Sequence, residues 1–141
     1  ITTDVIVGFP GETELEFNQT LDFIREINFS GGHVFPFSSR PGTAAARIDG
    51  KITGRIIKER SRILREEFLD QKDQFYQSFI GKKMSVLWEN SSVYENKNWE
   101  LHGMTGNYLT VKAHFPKRLQ NEISDVRIER YDGKSLTGSI L

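Results

Sequence analysis

The chain has 141 residues, with 19 basic and 19 acidic side chains, three histidines and no cysteine. A net charge of zero excludes a global field that draws in nucleic acid, so any RNA contact must come from a local patch. The absence of cysteine excludes disulfides, thiolate zinc sites and iron–sulfur ligation by this chain, and no apolar run approaches the roughly 18 residues of a membrane span.

The length suits one domain or parts of two. No charged segment followed by an apolar run is visible, so no secretory leader is expected and a cytoplasmic protein is. The chain opens at Ile1 inside a strand-like run, from which a preceding segment is expected. Residues 1–80 carry 10 basic and 12 acidic side chains and residues 81–141 carry 9 and 7, differences too small to argue from.

The run Asp4-Val5-Ile6-Val7 is β-branched and bounded by Gly8, which predicts a strand buried on both faces of a parallel sheet. Gly8-Phe9-Pro10-Gly11 is a turn at that strand's carboxyl end, where α/β folds bind ligands and where glycines let backbone approach them. Thr13 and Glu16 form a T-x-x-E capping box, and Phe17, Leu21, Ile24 and Ile27 follow at helical spacing. Residues 33–38, HVFPFS, read as a second strand that Pro36 ends early, which completes a right-handed βαβ unit. Residues 38–50 read as loop. Residues 53–80 read as a long helix with the stripe Ile57, Leu64, Phe68, Phe75 and Phe79, stopped by Gly81 as an αL cap.

From Lys82 the pattern changes to five short strands, KMSVLWE, WELHGMT, NYLTVKAHF, ISDVRIERYDG and KSLTGSIL, with hairpin-type turns at Gly106-Asn107 and Asp132-Gly133. They predict a small antiparallel barrel of the OB size class. Two modules are therefore expected. Residues 1–80 are an incomplete α/β piece, whose two-stranded sheet leaves edges unpaired; residues 81–141 are a whole all-β barrel.

DVIVGFPGET, followed about twenty residues later by HVFPFSSRPGTAAA, resembles the end of the radical S-adenosylmethionine domain of the methylthiotransferase family. The C-terminal strands resemble that family's TRAM domain, a small RNA-binding barrel, and the likeness covers essentially the whole chain. The HVFPFSSRPGT version is most similar to the MtaB branch, which acts on N6-threonylcarbamoyladenosine beside the tRNA anticodon. Sister branches act on isopentenyladenosine in tRNA (MiaB) or on a ribosomal-protein aspartate (RimO). The resemblance implies the C-terminal remnant of a partial β/α barrel, working in the intact protein with S-adenosylmethionine and two 4Fe–4S clusters. One cluster cleaves S-adenosylmethionine to a radical that takes hydrogen from adenine C2, and the other helps deliver sulfur. The cluster cysteines lie upstream in the family, so no catalytic or metal-binding residue is expected in this chain, and alone it should be inactive.

The resemblance also implies a cofactor pocket. Ile6 and Val7 form an apolar wall for the adenine, Gly8 and Gly11 let backbone close on it, and Phe37, Ser38 and Arg40 join from the second strand's end. Arg40 suits a carboxylate or phosphate. The family pattern G-x-I-x-G-x-x-E is met imperfectly: Asp4 replaces its first glycine and Glu12 comes one residue late. A carboxylate favoured at a helix start explains Glu12 equally well. His33 reads first as a packed strand histidine and second as a proton carrier, and the arginines of the long helix as a solvated face. In the barrel, Trp88, Tyr94, Trp99, Tyr108 and Phe115 are interleaved with Lys83, Lys97, Lys112, Lys117 and Arg118, a composition that suits unpaired RNA or an aromatic core. Thr105, Asn107 and Tyr108 match the TRAM pattern and, with Lys112 and Lys117, are the expected RNA-facing residues. The expected partners are a tRNA anticodon stem-loop and a reductant protein, with no membrane; the oligomeric state is open. Two readings compete with the enzyme fragment: a free-standing RNA-binding module without catalysis, and a RimO-like enzyme acting on a protein.

Overall fold

The computed structural model describes residues 1–95 and 98–141. The chain divides into two compact units, Ile1–Lys72 and Asp73–Leu141.

In the first unit β1 (Thr3–Val7) pairs in parallel with β2 (Gly32–Pro36), with Val5 opposite Val34 and Ile6 opposite Phe35. Between them runs α1 (Glu14–Ile27). Its start is fixed by the Thr13 hydroxyl, which accepts from Glu16 N, while the Glu16 carboxylate accepts from Thr13 N and Oγ1. Those bonds, backbone first, hold the Glu16 carboxyl below its ordinary range. The helix ends at Asn28, which takes the left-handed conformation usual for a C-cap. Phe17, Leu21 and Ile24 are buried as their spacing requires, but Ile27 is exposed, at the end of the stripe.

A 3₁₀ turn (Ala45–Arg47) precedes α2 (Gly54–Gln77). Leu64 and Phe68 of α2 join Val7, Val34, Phe17, Leu21, Ile24 and Phe29 in one core. The strands therefore bury one face only. Val5, Val7 and Val34 face the helices, whereas Asp4, Ile6, His33 and Phe35 alternate to the other side and are exposed. This corrects the expectation of a strand buried on both faces: both helices cover the same side of a two-stranded sheet.

The boundary between units falls inside α2, between Lys72 and Asp73, upstream of residue 80. The helix ends at Gln77, and Gly81 follows with φ +83°, donating to Ile128 O across 2.8 Å. Phe75, Tyr76 and Phe79 pack into the second unit's core, where the Tyr131 hydroxyl donates to Asp73 Oδ1 at 2.6 Å. Burial, reinforced by that bond, pushes the Tyr131 phenol well above its ordinary pKa.

The second unit is a closed barrel of β3 (Lys83–Val93), β4 (Trp99–Thr105), β5 (Thr110–Phe115), β6 (Ile123–Tyr131) and β7 (Leu136–Ile140), in the order β3-β4-β5-β7-β6. All pairs are antiparallel except β5 with β7, and the last pairing, β6 on β3, leaves no edge. This is a small OB-like barrel, as expected. Inward residues alternate along each strand: Val86, Trp88, Leu101, Val111, Ala113, Val126, Ile128 and Leu136 are buried. Trp88 alone removes roughly 200 Å² from water, on the order of 5 kcal/mol before conformational entropy is counted. A bulge between Trp88 and Asn90 bends β3 and lets it run on to Val93.

Candidate functional site

Two regions carry chemistry-bearing residues, one in each unit. In the first, the turn after β1 is held from below by a buried ion pair. Glu12 Oε2 accepts from Gly8 N at 2.8 Å and from Arg60 Nη1 at 2.6 Å, and the same Nη1 reaches Glu12 O at 3.0 Å. Arg60 Nη2 also reaches Glu14 Oε2 at 3.2 Å, and its guanidinium lies 5.1 Å from the Phe17 ring centroid. Arg60 is only 5 % exposed, so the reading of every arginine on this helix as solvated is corrected here. Glu12 acts inward, as the clasp that shapes the turn.

Strand alternation separates the expected cofactor residues. Ile6 is 57 % exposed beside Phe35 at 49 %, and together they make an apolar strip on the bare sheet face. On the same face His33 Nδ1 lies 3.1 Å from Asp4 Oδ1, both side chains being exposed. Val7, expected on the same wall as Ile6, turns to the helix side and is fully buried. A β-carbon at Gly8 would lie 2.4 Å from Ile57 Cγ1, so the glycine is required by the chain's own packing. Gly11 has open space at that position, and its N–H bonds to Gly50 O at 2.9 Å. Phe37 packs edge-on against Phe9, with centroids 5.2 Å apart. Gly8 and Phe37 line a cleft of about 180 Å³ together with Ser39, Ala45, Lys51 and Ile57. Ser38 and Arg40 are exposed and outside it, and Arg40 O is bonded by the Thr43 hydroxyl at 2.8 Å.

In the barrel, β4 and β5 are the second and third strands, whose outer face is where OB folds take oligonucleotides, flanked by the β3–β4 and β6–β7 connections. That face presents His102 and Lys112 as cross-strand partners, and Glu100 and His114 as the next pair. Tyr94, from the β3–β4 connection, stacks on His114 with centroids 4.3 Å apart. Lys112 Nζ is 3.8 Å from Asp132 Oδ2, so the lysine is steered by the β6–β7 turn. Asp132 is itself held low by the N–H groups of Ser135 and Lys134, which it accepts at 2.7 and 2.8 Å. Lys117 is exposed; Arg118 bonds Gln120 and Ser91 and lies 5.8 Å from the Trp99 ring centroid. Lys83 is paired with Asp125 at 2.9 Å, and Lys97 lies outside the described residues. Trp88 is core and takes no part in this surface.

The three TRAM-pattern residues divide their work. Thr105 is buried; its hydroxyl accepts from Leu109 N at 3.0 Å and lies 2.7 Å from Asn107 Oδ1. It clamps the β4–β5 turn and leaves Asn107 and Tyr108 at the tip. The turn runs through Gly106-Asn107 as expected, closed by Tyr108 N on Thr105 O, and the left-handed residue that follows is Tyr108, at φ +64°. Among the described residues no helix is long and apolar enough to cross a membrane.

No family model matches the chain. It is 35 % identical over 140 residues to a tRNA-2-methylthio-N(6)-dimethylallyladenosine synthase of Maricaulis maris, covering 99 % of this chain and 30 % of the relative. A relative of the same name in Rickettsia conorii is 37 % identical over 142 residues, covering 100 % and 31 %. A threonylcarbamoyladenosine tRNA methylthiotransferase MtaB of Thermotoga maritima is 45 % identical over 89 residues, 63 % of this chain and 20 % of the relative. The chain thus spans about 30 % of the length of the full-coverage relatives.

Proposed function

We infer, from a chain that belongs to the MiaB/MtaB family of methylthiotransferases, that it is the C-terminal, tRNA-gripping part of an enzyme that methylthiolates an adenosine beside the anticodon. The observation that carries this reading is similarity along the whole chain to enzymes named for tRNA methylthiolation. The barrel supports it through the β4–β5 face, where Lys112, His102, His114 and Tyr94 combine charge with stacking surface. In this reading residues 81–141 are the TRAM domain, and β1–α1–β2 closes a partial β/α barrel whose interior is lined by the bare face with Ile6 and Phe35.

The implied iron–sulfur clusters do not fit this chain's residues, because it has no thiolate to bind them. S-adenosylmethionine fits in part: Ile6 and Phe35 suit an adenine, Gly11 leaves room for it, and the space at Gly8 is already filled by Ile57. When bound in the intact enzyme it supplies the radical and methyl chemistry. This chain's own task there is to hold the turn, through Glu12 and Arg60, and to present an apolar wall. The reaction takes place in the cytoplasm and draws electrons from a reductant protein.

N6-threonylcarbamoyladenosine is the substrate the 45 % identity to the Thermotoga enzyme favours. A dimethylallyl-type adenosine is the second reading, favoured by the relatives that match the full chain. Mass analysis of tRNA nucleosides from a strain lacking the whole gene decides. Loss of the methylthio form of N6-threonylcarbamoyladenosine supports the first, loss of the dimethylallyl form the second, and unchanged tRNA nucleosides contradict both.

A further inference from the structure

We propose that the β4–β5 turn is a docking site for one unpaired nucleobase, with Tyr108 as the stacking platform and the Asn107 amide as a donor to the base edge. This rests on the tRNA reading above and adds to it which part of the RNA the barrel takes.

Residue and backbone conflict at this turn. Tyr108 sits at φ +64°, a region that glycine and asparagine enter readily and bulky residues avoid. Gly106 and Asn107 lie immediately before it, yet the left-handed position falls on the tyrosine. The turn is held there firmly: Tyr108 N bonds Thr105 O at 3.0 Å, Thr105 N bonds Leu109 O at 3.0 Å, and Leu109 is anchored in the core. The Tyr108 side chain stands in solvent. It is 82 % exposed, and among the described residues its ring makes no aromatic contact. Local rules of sequence give way where function demands it, and an aromatic face presented to water from a firmly bonded turn suits stacking on an unstacked base.

Asn107 supplies the second feature. Its Oδ1 lies 2.7 Å from the Thr105 hydroxyl, whose oxygen accepts from Leu109 N. The other acceptor in reach, Leu109 O, is 3.4 Å away and already accepts from Thr105 N, so the nearer asparagine takes the hydroxyl hydrogen. That assignment leaves the amide NH₂ as a donor on the residue that precedes Tyr108. A flat platform with an adjacent donor suits a base that carries a carbonyl or ring-nitrogen acceptor and is not already paired.

The test uses the 141-residue chain, an anticodon stem-loop RNA and a fully paired hairpin of equal length. Parent protein should prefer the stem-loop. Tyr108→Asn relieves the backbone, so it should melt at or above the parent temperature while binding the stem-loop roughly 5- to 150-fold more weakly, with an unchanged salt slope. Tyr108→Phe should keep the affinity and the preference. Equal stem-loop binding by parent and Tyr108→Asn overturns the proposal and leaves the tRNA reading standing. A lower melting temperature for Tyr108→Asn also overturns it, since the ring would then be a packing element. Failure of the folded parent to bind either RNA at low salt overturns both.

Discussion

The two units solve the problem of sheet edges and faces in opposite ways. The barrel closes β6 onto β3, fills its interior with alternating residues, and so turns its outer face into a surface that can be given over to charge and stacking. The parallel sheet has only two strands, both with an unpaired edge, and leaves Ile6 and Phe35 bare on the side away from its helices. In the barrel, the proposed RNA surface lies on the solvent side of a complete core. In the first unit the proposed surface is the bare sheet face, and Glu12 and Arg60 hold the turn that follows β1. The clasp of Glu12 and Arg60 is therefore the first unit's counterpart to strand closure.

Removing Arg60 is the sharpest way to break this comparison. Arg60→Ala strands the Glu12 carboxylate beneath the turn, and loss of one member of a buried pair costs about 3–5 kcal/mol. Hydrogen exchange should show lost protection across β1, α1 and β2 while amides of β3–β7 stay protected; equal loss in both units would mean that they do not unfold separately. Gly103→Ala is the converse. Its β-carbon would lie 2.4 Å from Leu87 O and 2.8 Å from Trp88 Cε3, contacts with backbone and with a packed indole. It should cost the barrel about 3 kcal/mol, read as a drop in the urea midpoint followed by tryptophan fluorescence, with the first unit spared.

How much of this was legible depends on the range of the interaction. The capping box, the stripe of Phe17, Leu21 and Ile24, and the five barrel strands are local patterns, and they stand where the residues put them. Arg60 was illegible because its partner Glu12 is 48 residues away and nothing in a helix crowded with arginine, lysine and glutamate marks one of them as buried. Gly8 reads in sequence as room for a ligand, but Ile57, also distant, takes that room. Val7 could have been separated from Ile6 by the strand's period of two alone. The β4–β5 turn stands at Gly106-Asn107 where the sequence puts it, but the left-handed residue beside the Thr105 clamp is Tyr108, which no propensity marks.

A smaller effect concerns acid. Asp125 is held below its ordinary range by Lys83 and Ser85, and Asp132 by the backbone of Ser135 and Lys134. A carboxylate whose folded pKa is depressed contributes stability that is present above the unfolded value of about 3.9 and lost as pH falls through the folded value. The barrel's melting temperature should therefore decline as pH is lowered from about 4. Asp132→Asn should flatten part of that decline; an unchanged acid profile would assign the loss to other groups.

The most direct measurement of the central claim is the salt dependence of binding between this chain and an anticodon stem-loop RNA. Each phosphate contact releases counterion with a log–log slope of about −0.7 on single strands, so engagement of three phosphates predicts about −2. Lys112→Ala or Lys117→Ala should make that slope shallower by roughly one unit where the residue contacts phosphate. Binding that does not vary with salt, or a slope untouched by both substitutions, would contradict a tRNA grip on the β4–β5 face.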